Sequence, residues 1–277
     1  MPEITPEIPI ERFEIFANGL DHPECLAFDR GGWLWAGGEA GQVYRVRPDG
    51  TAVETVAEMG GFCGGVAWTP DDAELFVCNP KHGVVRVNRD GKWTIFASHT
   101  GDGRLICPNF GLFDSRGNYF VTDSGNWKKH NGCLLKYTSD GRGEMVAGPF
   151  GYANGLALST DERHVFMVES DTDSVYRIDV ATGAAEVYAE HVGRLPDGVA
   201  LDAEGELFAS CYASDDIHRI GADGKVTLYA YDRWAILLSR PTNIAFRDGY
   251  IYASNLGRTT ITRAQVGRAG RPLANQL

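Results

Sequence analysis

An all-β ring of six four-stranded antiparallel sheets, a six-bladed β-propeller, is the fold class this 277-residue sequence predicts. Three observations predict it. An apolar triplet recurs six times, starting at Leu26, Val66, Gly111, Leu156, Val199 and Ile244. The starts lie 40 to 45 residues apart, so units of one size fill the chain. Each unit breaks into short β-branched and aromatic runs between turn residues, and no helical stripe competes.

The order of elements within a unit is constant. The triplet is the first strand, and a turn such as "DRGG", "DSRG" or "DAEG" follows. A second strand comes next ("WLWAG", "NYFVTD", "ELFAS"), then a third ("VYRV", "LLKY", "IHRI") that ends at "PDG", "SDG" or "ADG". These turn residues favour hairpins. A fourth strand, such as "AVETVA", "EMVA" or "VTLYA", closes most units. The last unit, residues 242–263, has only three strands. The segment "IERFEIFA", residues 10–17, is the expected fourth; it would complete the last blade and cover an open sheet edge. The expectation is one domain over residues 1–277, with blades beginning near residues 24, 64, 109, 154, 197 and 242.

Composition narrows the class of partner. Hydrophobic residues make up 43% and charged residues 23%, as in ordinary globular proteins. No apolar run approaches the roughly 18 residues of a membrane helix. The acidic, proline-punctuated start is unlike a secretory signal, so a cytoplasmic location is expected. The six scattered cysteines then read as reduced, buried thiols rather than disulfides. A net charge of -11 argues against nucleic acid or an anionic membrane as partner and suits a bound cation.

The residue two places before each triplet is Glu24, Gly64, Asn109, Asn154, Asp197 or Thr242. In a propeller, equivalent positions point to equivalent places around the axis. Glu24, Asn109, Asn154 and Asp197 should therefore converge at one mouth of the channel. Four oxygen donors, two of them anionic, are hard ligands that suit calcium, magnesium or manganese. The set has no thiolate or imidazole, which argues against structural zinc. Singly, each residue has a plainer reading: Asn154 and Asp197 precede glycine as turn residues do, Glu24 is a surface carboxylate, and Asn109 caps a loop. The shared register is what favours the metal.

The segments "HPECLAFD", "PNFGLFDSRGNYFVTDS", "ANGLALSTDERHVF", "LPDGVALDAEGELF" and "PTNIAF" resemble those of the gluconolactonase, senescence marker protein and luciferin-regenerating enzyme family, over residues 13–263. The resemblance implies a six-bladed propeller that holds one divalent metal through Glu24, Asn109, Asn154 and Asp197. Calcium is expected first, with magnesium, manganese, zinc or iron(II) as alternatives. It further implies hydrolysis of a small-molecule lactone or related ester, with a metal-polarised carbonyl and Asp197 as general base. Asn109, Phe110, Asp123 and Trp127 are the expected substrate contacts. Sugar-lactone members often carry an Arg two places before the matching Asn and a polar residue after it. Cys107 and Phe110 stand there in this chain, which suggests a less polar wall. Arg104 is nearby but out of register. His22, His99 and His130 read as structural or solvated, and Asn243 as more often structural than pocket-lining. Two further readings remain: a phosphotriesterase-like hydrolase, and a non-catalytic ligand-binding propeller. A strictosidine-synthase-like condensing propeller ranks lower, because such members need not keep the metal set.

Overall fold

A computed structural model describes residues 5–101 and 103–277. It contains six four-stranded antiparallel sheets arranged as blades around one channel. The innermost strands are Cys25–Phe28, Val66–Trp68, Pro108–Phe113, Ala153–Leu158, Pro196–Leu201 and Pro241–Arg247. In the last blade the N-terminal strand Phe13–Asn18 pairs with Thr260–Gln265, so the ring is latched by joining both ends of the chain. The latch strand starts later than the sequence suggests, because Ile10–Arg12 forms a 3-10 turn after Pro9. A small extra hairpin, His99–Thr100 with Gly103–Arg104, lies between the second and third blades.

The turns after the inner strands are built by aspartate. Asp114 Oδ1 accepts the amides of Arg116 and Asn118, and Asp202 Oδ1 accepts those of Glu204 and Glu206. Such Asx turns replace backbone partners with a side-chain oxygen, which is why these aspartates are buried without harm. Between blades, the alternate faces of the strands form aromatic and aliphatic layers. Trp35 packs edge-on against Trp68 between the first two blades, and Phe208 against Phe246 between the last two.

The inner strands approach one another too closely for side chains at one level of the ring. A Cβ on Gly155 would lie 2.5 Å from the carbonyl oxygen of Asp197, and one on Gly198 would lie 2.5 Å from that of Thr242. The Gly65 amide donates to the Asn109 carbonyl. The Cys25 thiol donates to the Gly64 carbonyl. Closure comes from Thr242, whose hydroxyl donates to the Glu24 carbonyl at 2.6 Å. Small residues therefore follow the donors Glu24, Asn154 and Asp197, as Cys25, Gly155 and Gly198.

The far end of the channel is closed by the C-terminal segment. Asp202 bridges to Gly270, Arg271 donates its amide to the Leu201 carbonyl, and Asn275 Nδ2 donates to the Phe28 carbonyl. This segment, with the ends of the inner strands, encloses an apolar cavity of about 100 Å³. Gly155→Ala should destabilise the fold by about 1–3 kcal/mol, because the added methyl meets backbone rather than a movable side chain. Thermal unfolding checks this, and an unchanged Tm would show that the ring can relax.

Candidate active site

Backbone irregularities aim the donors into the channel. The inner strands lose register with their neighbours between Pro108 and Gly111, between Ala153 and Leu156, and between Pro196 and Val199. Asn109, Asn154 and Asp197 fall inside these three shifts. A β-bulge turns a side chain away from its place in the pleat, here toward the axis. Hydroxyls from the second strands help to hold these segments. Thr122 Oγ1 accepts the Phe110 amide, Ser210 Oγ accepts the Gly198 amide, and Ser170 Oγ donates to the Pro196 carbonyl. Glu24 instead precedes its strand and is held by its amide on the Gly37 carbonyl.

These four residues line one cavity of about 360 Å³ at the mouth opposite the C-terminal closure. Glu24, Asn109 and Asn154 are buried and Asp197 is half-buried. Asn154 donates from Nδ2 to Ser170 Oγ at 3.1 Å, which leaves its Oδ1 as the uncommitted atom. Glu24 Oε2 is buried with no hydrogen-bond partner. An orphaned carboxylate oxygen is costly unless a proton or a cation meets it.

The electrostatics agree. Burial raises the Glu24 carboxyl well above its ordinary range, and repulsion from Asp197 raises it further, against a smaller opposing effect of the Thr242 hydroxyl. Burial also raises Asp197, opposed by the Asn154 amide. Two acids that resist ionisation side by side, with amide oxygens around them, fit a divalent cation. A double positive charge removes both the desolvation and the repulsion.

The remaining walls are largely apolar: Phe62, Pro80, Leu195, Leu256 and the rings of Trp127, Tyr152 and Tyr212. Trp127 meets Tyr152 edge-to-face, with centroids 5.0 Å apart. Tyr212 is held by Arg240, which stacks on its ring and donates to its hydroxyl at 3.1 Å. Cys107 also lines the cavity. Two residues expected as substrate contacts lie elsewhere. Phe110 lines the opposite, C-terminal cavity, because residues that follow a donor position project down the channel. Asp123 accepts the amides of Ile106, Cys107 and Gly125, so its oxygens brace the segment leading to Asn109. Asn243 likewise lines the opposite cavity. His22 sits between Asp21 and Glu39, and His130 faces Asp171, all outside the cavity lining. Tyr152 and Tyr212 were missed in the sequence reading. Tyr152 is two residues before Asn154, the place in the fourth blade that corresponds to Cys107 before Asn109 in the third.

The class defined is a six-bladed propeller with a cluster of oxygen donors at one mouth. The chain belongs to the SMP-30/gluconolactonase/LRE-like family, whose model matches residues 22–253. Among relatives, it is 24% identical to a 6-deoxy-6-sulfogluconolactonase of Pseudomonas putida, over 87% of this chain and 82% of that one. It is 23% identical to the strictosidine synthase-like 6 protein of Arabidopsis thaliana, over 92% of this chain and 70% of the other. A solved structure of a calcium-binding protein, regucalcin, from Agrobacterium tumefaciens matches with TM-score 0.79 at 16% identity, covering 97% of this chain and 98% of that one.

In the absence of a cation, raised carboxyls make the sign of the pH effect definite. These two groups keep protons in the folded state that the unfolded chain releases, so the stability they contribute is greatest at low pH. It is lost as pH rises from the ordinary carboxylate range through the raised folded values. Glu24→Gln removes one such group. It should raise the Tm of chelated protein near pH 8 by a few degrees while abolishing cation binding at the channel mouth. A Tm below that of wild type in chelator would contradict this.

Proposed function

We propose that this chain is a divalent-metal-dependent hydrolase that opens a lactone or a related carboxylic ester. The observation that carries the reading is the buried, unpartnered Glu24 oxygen facing Asp197 and two amides in an otherwise apolar cavity. Family membership, and relatives named as lactonases, support lactones as the substrate class.

Glu24, Asn154 and Asp197 would hold the cation, and Asn109 would either join them or orient the substrate carbonyl. When bound, the cation acts as a Lewis acid toward that carbonyl oxygen and favours the oxyanion formed on attack. Asp197 lies at the boundary between the buried donors and the open cavity. It aligns a water and accepts its proton as the water attacks, then returns that proton to the leaving alcohol. Donors that are all oxygen favour the hard cations calcium, magnesium and manganese over zinc.

The walls choose the substrate. No Lys, Arg or His lines the cavity among the described residues, so it offers no cationic anchor for a carboxylate, sulfonate or phosphate. Phe62, Trp127, Tyr152 and Leu256 supply apolar faces that hold an uncharged ring or acyl skeleton and exclude water. The preferred substrate is thus a lactone or ester with an apolar substituent rather than a polyhydroxylated sugar lactone. This departs from the cation-lined specificity position, and Cys107 is where the departure is written in the sequence.

Two outcomes test the proposal. Chelation should abolish hydrolysis in a pH-indicator assay, and one divalent cation at a time should restore it. Full turnover by metal-free protein sinks the mechanism. Asp197→Asn should lower kcat by roughly 10²–10⁴-fold with Tm held or raised, and unchanged turnover would leave a ligand-binding propeller as the better account.

A further inference from the structure

Away from the channel, the fifth blade gathers a second set of metal-type side chains. Cys211 ends the strand Leu207–Cys211, Asp216 begins the strand Asp216–Ile220, and the two are cross-strand partners. His218, two residues beyond Asp216, shares its face of the sheet. The Cys211 Sγ, an Asp216 oxygen and an imidazole nitrogen of His218 all lie within 4.8 Å of one another.

The hydrogen bonding of this cluster is incomplete. Both ring nitrogens of His218 are buried and neither has a hydrogen-bond partner. Its Nε2 faces Asp216 Oδ1 at 3.3 Å without the alignment of a hydrogen bond. Every tautomer of an imidazole carries at least one N–H, so burial without a partner is costly. Cys211 Sγ approaches the carbonyls of Val192 and Ala209, at 3.4 and 3.9 Å, and also lies beside the Asp216 carboxylate. Asp216 Oδ1 receives the Ser214 hydroxyl, which fixes the carboxylate from outside.

The geometry points to a second cation site, for a zinc-like divalent ion held by Cys211, Asp216 and His218. Two donors each about 2.0–2.1 Å from a tetrahedral zinc lie about 3.3 Å apart, which is the Nε2–Oδ1 separation found. Gly193 packs directly against the donors: a Cβ there would lie 2.4 Å from Cys211 Sγ and 3.0 Å from the His218 ring, so no larger residue fits beside them. A water or the Val192 carbonyl completes four ligands. Thiolate and imidazole select zinc, cobalt or iron(II) over calcium, so this site and the oxygen-lined mouth differ in kind. On binding, the Sγ–H proton passes to solvent as the metal–sulfur bond forms.

The other compact carboxylate group on this part of the surface lacks these properties. Asp202 and Glu206 are already met by Arg268, at 2.6 and 2.7 Å. The Cys211 site also has a mechanical consequence. It ties together the two strand ends that flank the turn carrying Tyr212, and Tyr212 and Leu195 both line the mouth cavity. The ion would stiffen one wall of that cavity without touching substrate.

Cobalt(II) titration of the full chain separates the two sites, because only a thiolate ligand gives a sulfur-to-cobalt charge-transfer band in the near ultraviolet. The band should appear in wild type, persist in Glu24→Gln, and vanish in Cys211→Ser. In His218→Asn, which keeps the sulfur, apparent cobalt affinity should fall by roughly tenfold or more. No band at saturation in wild type overturns the site, as does a band that survives Cys211→Ser. Should Cys211→Ser not fold, the His218→Asn titration decides alone, and an unchanged affinity there overturns the proposal.

Discussion

The close approach of six inner strands around one axis is the constraint on which everything else depends. Hydrogen bonds and bare glycines, rather than interlocking side chains, set the spacing at the level of the donors. Gly155 lies against the Asp197 carbonyl, Gly198 against the Thr242 carbonyl, and the Thr242 hydroxyl is bonded to the Glu24 carbonyl. Backbone packed this tightly leaves the donor side chains one direction in which to project, along the channel mouth. The same tightness excludes water from Glu24 and so raises the cost of its charge. Under the proposed metal-dependent reading, cation affinity would draw on the cost of burying these two carboxyls without a counter-ion.

The two ends of the channel are used oppositely. At one end the bulged strands expose oxygen donors beneath an aromatic rim. At the other the strands run on regularly into apolar residues, and the C-terminal segment seals them through Gly270, Arg271 and Asn275. With the base covered by this segment, the mouth is the open approach to the donors. The segment also anchors the inner strands to a rigid floor, so the donors are held by the ring rather than by flexible loops.

Much of this was legible in the sequence. The sixfold period located every inner strand, and the missing strand of the last blade pointed to the N-terminal segment. The register of the apolar triplets placed Glu24, Asn109, Asn154 and Asp197 at equivalent positions, and the structure brings all four to one cavity. What was not legible depends on backbone detail. A bulge changes which way the next side chain faces, so Phe110 lines the far cavity although it adjoins Asn109. Asp123 looks like a ligand by residue type, but three amides consume its oxygens. The closure by residues 267–277 left no periodic signal, because it is an irregular segment held by single hydrogen bonds. Tyr152 and Tyr212 escaped for a related reason: loop aromatics carry no period, and their convergence is a property of the ring.

The most direct test of convergence is an anomalous difference map from crystals soaked in manganese(II). The account predicts one strong peak on the channel axis, about 2.1–2.5 Å from oxygens of Glu24, Asn154 and Asp197. A mouth with no peak at saturating manganese, while those side chains turn apart toward solvent, would contradict it.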